Sequence, residues 1–211
     1  MPEAPPDPFV PFEPTERQAE ILDHAFALIE ESGLGRLTLR RVAERVGFTE
    51  AAIYRHFPNK AALVDALLRT LGGRLLGPIR AAAADTSLLP RERIERMVRH
   101  HVRLLRETRG LPILLVAEAL ATGEEAIVAR MRSIISTYAG LLGGVLTELD
   151  LPLSEPPQRQ AVLFFGLPMA LALQMRAWPG LGLDDRDVDE LVTYSVRALT
   201  SGARPTPETE P

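Results

Sequence analysis

The sequence predicts an all-α protein, with a small three-helix domain at the N-terminus, a larger helical domain after it and about nine helices in total. Three observations carry that expectation. Apolar residues recur at spacings of three and four over most of the chain, threonine, asparagine and aspartate caps and glycine stops punctuate these stretches, and no segment alternates convincingly as a strand does. A chain of 211 residues is long enough for one large core or for a small and a larger one.

The first segment, "MPEAPPDPFVPFEP", carries acids and six prolines, a composition that predicts a flexible, extended arm over residues 1–13 rather than a secretory signal. Thr15 and Gln18 then form a T-x-x-Q capping box, and Leu22, Ala25, Phe26 and Ile29 recur at helical spacing, so a first helix closes at Gly33. Thr38 can cap a second helix with Leu39, Val42, Ala43 and Val46 inward and Gly47 as its stop. Thr49 caps a third, very short helix that buries Ile53 and Phe57 and turns Glu50, Ala51, Tyr54 and Arg55 outward. Pro58 ends it and Asn59 caps a fourth helix, a connector over residues 60–76, in which Gly72 and Gly73 form a weak point.

Beyond Gly77-Pro78 the helices lengthen, and residues 77–202 are expected to form the second domain. Helices are predicted over 91–109, over the apolar stretch after Gly110, and from Thr122 and Glu125 to about residue 149. The stretch from 158 to 178 is apolar nearly all round from Ala161 to Leu173, so it is either central or covered by another subunit, and Pro168 either kinks it or splits it in two. A last helix spans 186–201, and residues 203–211 read as a disordered tail.

Charge is unevenly distributed. The chain has a net charge of −4, yet residues 34–60 hold six cations (Arg36, Arg40, Arg41, Arg45, Arg55, Lys60) against Glu44 and Glu50. Two short helices joined by Gly47-Phe48-Thr49, with a third helix behind and excess positive charge around them, are the pattern of a helix-turn-helix that enters the DNA major groove. The third helix is too poor in core residues to exist for packing alone. The domain is expected to cover residues 14–59.

The stretch "GLGRLTLRRVAERVGFTEAAIYRHFPNKAALVDALL", residues 33 to 68, resembles the DNA-binding domain of TetR-type transcriptional regulators in its L-T-x-R, A-x-x-x-G and Y-x-H-F-x-x-K elements. That resemblance implies base contacts by Arg40, Glu50, Ala51, Ala52 and Arg55, and phosphate contacts by Thr38, Thr49, Tyr54, His56 and Lys60. A guanidinium at Arg40 suits the O6/N7 pair of guanine, whereas Glu50 can accept from cytosine N4 or simply stabilise its helix N-terminus.

A lone helix-turn-helix binds weakly, so a homodimer on an inverted-repeat operator is expected. Residues 158–201 are the interface candidate, with Leu163, Leu171, Val192 and Leu199 in it. The middle helices should then enclose a pocket for a small, largely apolar effector, lined by His101, Tyr138, Phe165, Met169, Gln174 and Trp178; the alternative is that these are core and interface side chains, with His101 a satisfied core histidine. Seven arginines in 91–109 against three acids form either a solvated face or an attractor for an anionic head group.

The sequence offers no enzyme, metal or cofactor site. It has no cysteine, no nucleophile elbow, no glycine-rich phosphate loop and no His100-His101 partner at ligand spacing, and the acids at 184–189 sit where a helix start wants them. No run is long and apolar enough to span a membrane, and a cytoplasmic location is expected. The function expected is a ligand-released repressor; the alternative is a constitutive, nucleoid-associated DNA binder that uses its C-terminal domain for a protein partner.

Overall fold

The computed structural model describes residues 9–149, 151, 157–177 and 182–201. Among these are nine α-helices and no strand: α1 (Glu16–Ser32), α2 (Leu39–Val46), α3 (Glu50–His56), α4 (Lys60–Ala84), α5 (Pro90–Glu107), α6 (Leu111–Thr122), α7 (Glu125–Leu146), α8 (Pro157–Ala177) and α9 (Asp185–Thr200), with one 3-10 turn at Leu34–Arg36. The 203–211 tail lies outside the described residues.

The local signals act as expected. Thr15 and Gln18 close a reciprocal capping box, Thr38 and Thr49 accept from the backbone N–H groups of Arg41 and Ala52, and Asp184 caps α9. Each such cap stabilises its helix by about 1 kcal/mol. Gly47 ends α2 at φ 81°, the left-handed conformation that a side chain would resist.

Two compact units emerge, one made of Met1–Arg74 with Leu111–Ile134 and the other of Leu75–Gly110 with Ile135–Pro211. Chain order alone had placed α6 in the second domain. It joins the first because Leu111, Leu115 and Ala119 enter the same core as Ile21, Ile29, Val42, Ile53, Leu63 and Leu67. In the second unit α5 packs on α8 and α9, through Ile94, Met97, Val98 and Val102, Ala161, Phe164 and Ala172, and Val188, Val192 and Val196.

Helix α8 runs through Pro168 as one helix, so of the two alternatives the split does not occur. Two differences from expectation remain. Helix α4 does not stop near residue 76 but continues through Pro78, because Ile79 and Ala82 beyond it are buried. Of the four residues expected at a subunit interface, Leu171 and Val192 are buried within the protomer and Leu199 is half-buried; only Leu163 is exposed. On α8 and α9 the large apolar side chains that are exposed are instead Val162, Leu163, Met169 and Leu173, and Leu191 and Tyr194.

The proline-rich arm is docked over residues 9–12. Phe9 is 4 % exposed, Arg69 donates to the carbonyls of Val10 and Pro11 at 3.1 Å, and its guanidinium lies 5.5 Å from the centre of the Phe12 ring. Gly72 is the seat for Phe9, since a Cβ there would overlap that ring and come within 2.9 Å of Ile134 Cδ1. Its role is therefore close packing rather than bending.

Gly72→Ala is expected to destabilise the protein by about 1–3 kcal/mol through overpacking, despite the better helix propensity of alanine. The cost should shrink in a Phe9→Ala background, where the ring is gone. Urea midpoints of the four proteins measure this coupling, and an equal cost in both backgrounds would exclude Phe9 as the cause.

Candidate nucleic-acid interface

Helix α3 is seven residues long and fully buries one of them, Ile53, while Phe57 just beyond it is 2 % exposed. Glu50, Ala51, Tyr54 and Arg55 face solvent, and Ala52 and His56 are half-exposed. Arg40 on α2 is also exposed, with its guanidinium 2.9 Å from Glu44 one turn on. Thr38 and Thr49 spend an acceptor lone pair on capping, which leaves each hydroxyl hydrogen free to donate.

Three of the six cations counted in the sequence have structural tasks. Arg45 grips Glu31 of α1 with both terminal nitrogens at 2.5 and 2.6 Å, and this contact holds the Glu31 carboxyl below its usual range. Arg41 donates to Ser32 Oγ and to the Arg36 carbonyl. Lys60 donates to the Leu34 carbonyl at 2.8 Å and is half-buried, so one of its three N–H donors is committed within the fold. Arg36 and Arg55 are both exposed.

The turn joining α1 and α2 is held from its other side by Glu118 of α6, whose carboxylate accepts from Leu34 N–H at 2.7 Å and from Gly35 N–H. Gly33 has φ 82° there, and a Cβ on Gly35 would sit 3.1 Å from Glu118 Oε1. A faint sign of this role is legible in the chain itself, where Glu118 is the lone acid in "LPILLVAEAL".

In the second unit, three of the six expected pocket residues meet. The rings of His101, Tyr138 and Phe165 stack edge to face, with centroids 5.3 Å apart for His101–Tyr138 and 4.7 Å for Tyr138–Phe165. His101 Nδ1 and Tyr138 Oη are buried with no hydrogen-bond partner. Burial pushes His101 down to about 3, helped by neighbouring His100, and pushes the Tyr138 phenol up, so both are neutral at physiological pH. Met169 is not part of this cluster. The buried face of α8 runs through Ala161, Phe164, Pro168 and Leu171, and Met169 lies one residue round from it, 44 % exposed. Gln174 is half-buried, and Trp178 lies outside the described residues. Asp184 caps α9 while Asp185 and Asp189 pair with Arg106 and Arg99, which accounts for the acids at that helix start.

The family profile described as "Bacterial regulatory proteins, tetR family" matches residues 21–67, the span from α1 into α4. The nucleoid occlusion factor SlmA of Marinomonas sp. (strain MWYL1) is 31 % identical over 136 residues, 64 % of this chain and 68 % of that protein. SlmA of Vibrio campbellii is 32 % identical over the same length and the same shares. The chain belongs to the tetR family. The likeness of fold extends well beyond that span: a transcriptional regulator from Rhodococcus sp. Rha1 superimposes with a TM-score of 0.75 at 22 % identity, covering 92 % of this chain and all of that one. The fatty acid degradation regulator FadR from Bacillus halodurans does so with 0.72 at 20 % identity, over 92 % of this chain and all of FadR. As a tetR-family member the protein is a DNA-binding transcriptional regulator, and its helix-turn-helix is α2–α3. No helix among the described residues is long and apolar enough to cross a membrane.

Neutral burial of His101 has a consequence for this tetR-family protein's stability. Unfolded histidine takes up a proton near 6.5, whereas folded His101 resists protonation down to about 3, so between these values the unfolded state binds more protons and stability rises with pH. Stability is expected to fall by up to about 1.4 kcal/mol per unit as pH drops through this window. Urea unfolding at pH 7 and pH 5 of wild type and His101→Gln measures it; parallel losses in the two proteins would show that His101 does not contribute.

Proposed function

We propose that the protein is a cytoplasmic, homodimeric repressor that binds an inverted-repeat operator and is released by a small, largely apolar effector. The observation that carries the effector half is the pair of buried, neutral, unpartnered polar atoms on His101 and Tyr138, set among aromatic rings. Leaving such an atom unsatisfied costs about 1–3 kcal/mol, which a ligand hydroxyl or carbonyl recovers. No charged side chain belongs to this cluster, which favours a mostly hydrocarbon molecule with one uncharged polar group.

In this reading Arg40 and Arg55 address guanine edges, Glu50 a cytosine amine, and Ala51 and Ala52 present methyls, while Thr38, Thr49, Tyr54, His56 and Lys60 hold phosphates. The exposed strip of Val162, Leu163, Met169, Leu173, Leu191 and Tyr194 is the support for a dimer, because two copies of an α8–α9 pair bury each other's apolar faces as a four-helix bundle. Two α3 helices then meet half-sites about one helical turn, roughly 34–36 Å, apart.

Arg40→Ala and Arg55→Ala are expected to lower affinity for the operator by about 1–3 kcal/mol each and to leave binding to random duplex nearly unchanged. Titration of both duplexes at one salt concentration is the measurement, and equal losses on the two would remove these residues from base reading.

For the effector, native mass spectrometry of freshly isolated protein should reveal a bound apolar molecule, and adding that molecule should dissociate the operator complex. His101→Phe and Tyr138→Phe should keep operator affinity and raise the effector half-point on the order of tenfold, the loss of one hydrogen bond. A second reading is favoured by the similarity to nucleoid occlusion factors: a constitutive, nucleoid-associated DNA binder whose second unit engages a protein. Operator affinity that no small molecule alters would overturn the repressor reading in favour of this one.

A further inference from the structure

On the flank of α3, reaching Ala52 and Arg55 of the residues assigned to base reading, lies an open depression of about 380 Å³ lined by Arg17, Phe48, Ala52, Arg55 and His56. Three elements build it: the first turns of α1, the α2–α3 turn and α3 itself. Its floor is apolar, being the half-exposed Phe48 ring and the Ala52 methyl, and the other lining residues are cationic or ring N–H donors. The Arg17 guanidinium is held 4.8 Å from the centre of the Phe48 ring, an arrangement in which the ring face favours a cation. One edge of the same guanidinium meets Glu20 at 2.5 Å, which steadies it.

We infer that this depression is a seat for one deoxyribose-phosphate unit of the DNA backbone, with Arg17 and His56 on the phosphate and Phe48 and Ala52 against the sugar. The inference rests on the DNA-binding role of the helix-turn-helix. An apolar floor beside a cationic rim matches a sugar face next to its phosphate, and it does not match a base edge, which needs paired donors and acceptors. Arg17 is positioned by α1 and the turn, not by α3, so it grips the duplex from outside the groove and fixes how deeply α3 enters. Ala52 thereby moves from base reading to the floor of a backbone contact, where its small side chain keeps the seat open.

The test is titration of random duplex and of an operator selected from a random library, over a series of salt concentrations. Arg17→Ala should weaken both complexes by the same factor, on the order of tenfold at low salt, and reduce the slope of log affinity against log salt by about one. Arg17→Lys should restore the slope, which a purely structural role of arginine would not. Ala52→Leu should fill the seat and weaken both complexes with far-ultraviolet circular dichroism unchanged. Wild-type protein that bound neither duplex would refute the DNA-binding role itself. Wild-type binding with an unaltered slope for Arg17→Ala, or a loss confined to the operator, would overturn the seat alone.

Discussion

Helix α3 cannot stand by itself. Seven residues are too few for an isolated helix, whose nucleation alone costs more than so short a run of hydrogen bonds returns, and one fully buried side chain, Ile53, gives it little core of its own. Everything that makes it a rigid probe is borrowed: the cap from Thr49, the left-handed turn from Gly47, and the socket for Ile53 and Phe57 from α1, α2, α4 and α6. That poverty is what function requires, because a helix that must put its residues against DNA has few left to bury. The price is that its orientation is only as well defined as the small core behind it.

The same constraint explains how the cations are used. Arg41, Arg45 and Lys60 tie α2 and the α1–α2 turn to their surroundings, so a charge count over the motif overstates what is free to meet phosphate. The Arg45–Glu31 pair is half in water and adds little stability as an ion pair. Its value is geometric, fixing α2 on α1 at two points. Glu118 and Lys60 act on the α1–α2 turn from its two polarities, the carboxylate on the N–H groups of Leu34 and Gly35 and the ammonium on the Leu34 carbonyl.

Features set by neighbours in sequence were legible beforehand: the helices, the threonine and aspartate caps, the Gly47 stop and the outward face of α3. Features set by distant chain were not. Nothing near Gly72 announces that Phe9 will lie on it, and nothing near Leu34 announces Glu118, because each contact joins segments more than sixty residues apart. Helix α8 shows a different limit. Periodicity orders residues around an axis, but when nearly every side chain is apolar it does not say which face turns inward, and so Leu171 is expected at the subunit interface although it is buried within the protomer. His101 and Tyr138 stand out chemically on their own helices, and their rings meet together with Phe165. Met169 was not separable from them, since a methionine fits a core, a pocket or a surface strip alike.

Buried polar atoms in one unit influence a helix in the other only if a ligand there favours one arrangement of the chain over another. The chain passes between the units at three places: within α4, at the α5–α6 turn and within α7. Two of these are continuous helix. The third is a sharp turn in which Arg109 is held at φ 48° and Gly110 at φ 69°, and a non-glycine residue in that region stores strain of about 1 kcal/mol or more. His101 lies two turns before it on α5, and Glu118 two turns after it on α6. In the proposed repressor, a molecule that shifted α5 would therefore act at the strained turn first. Through α6 it would reach the carboxylate that holds the α1–α2 turn, and a coupling of 1–3 kcal/mol, the usual allosteric range, is comparable to the two hydrogen bonds at that carboxylate.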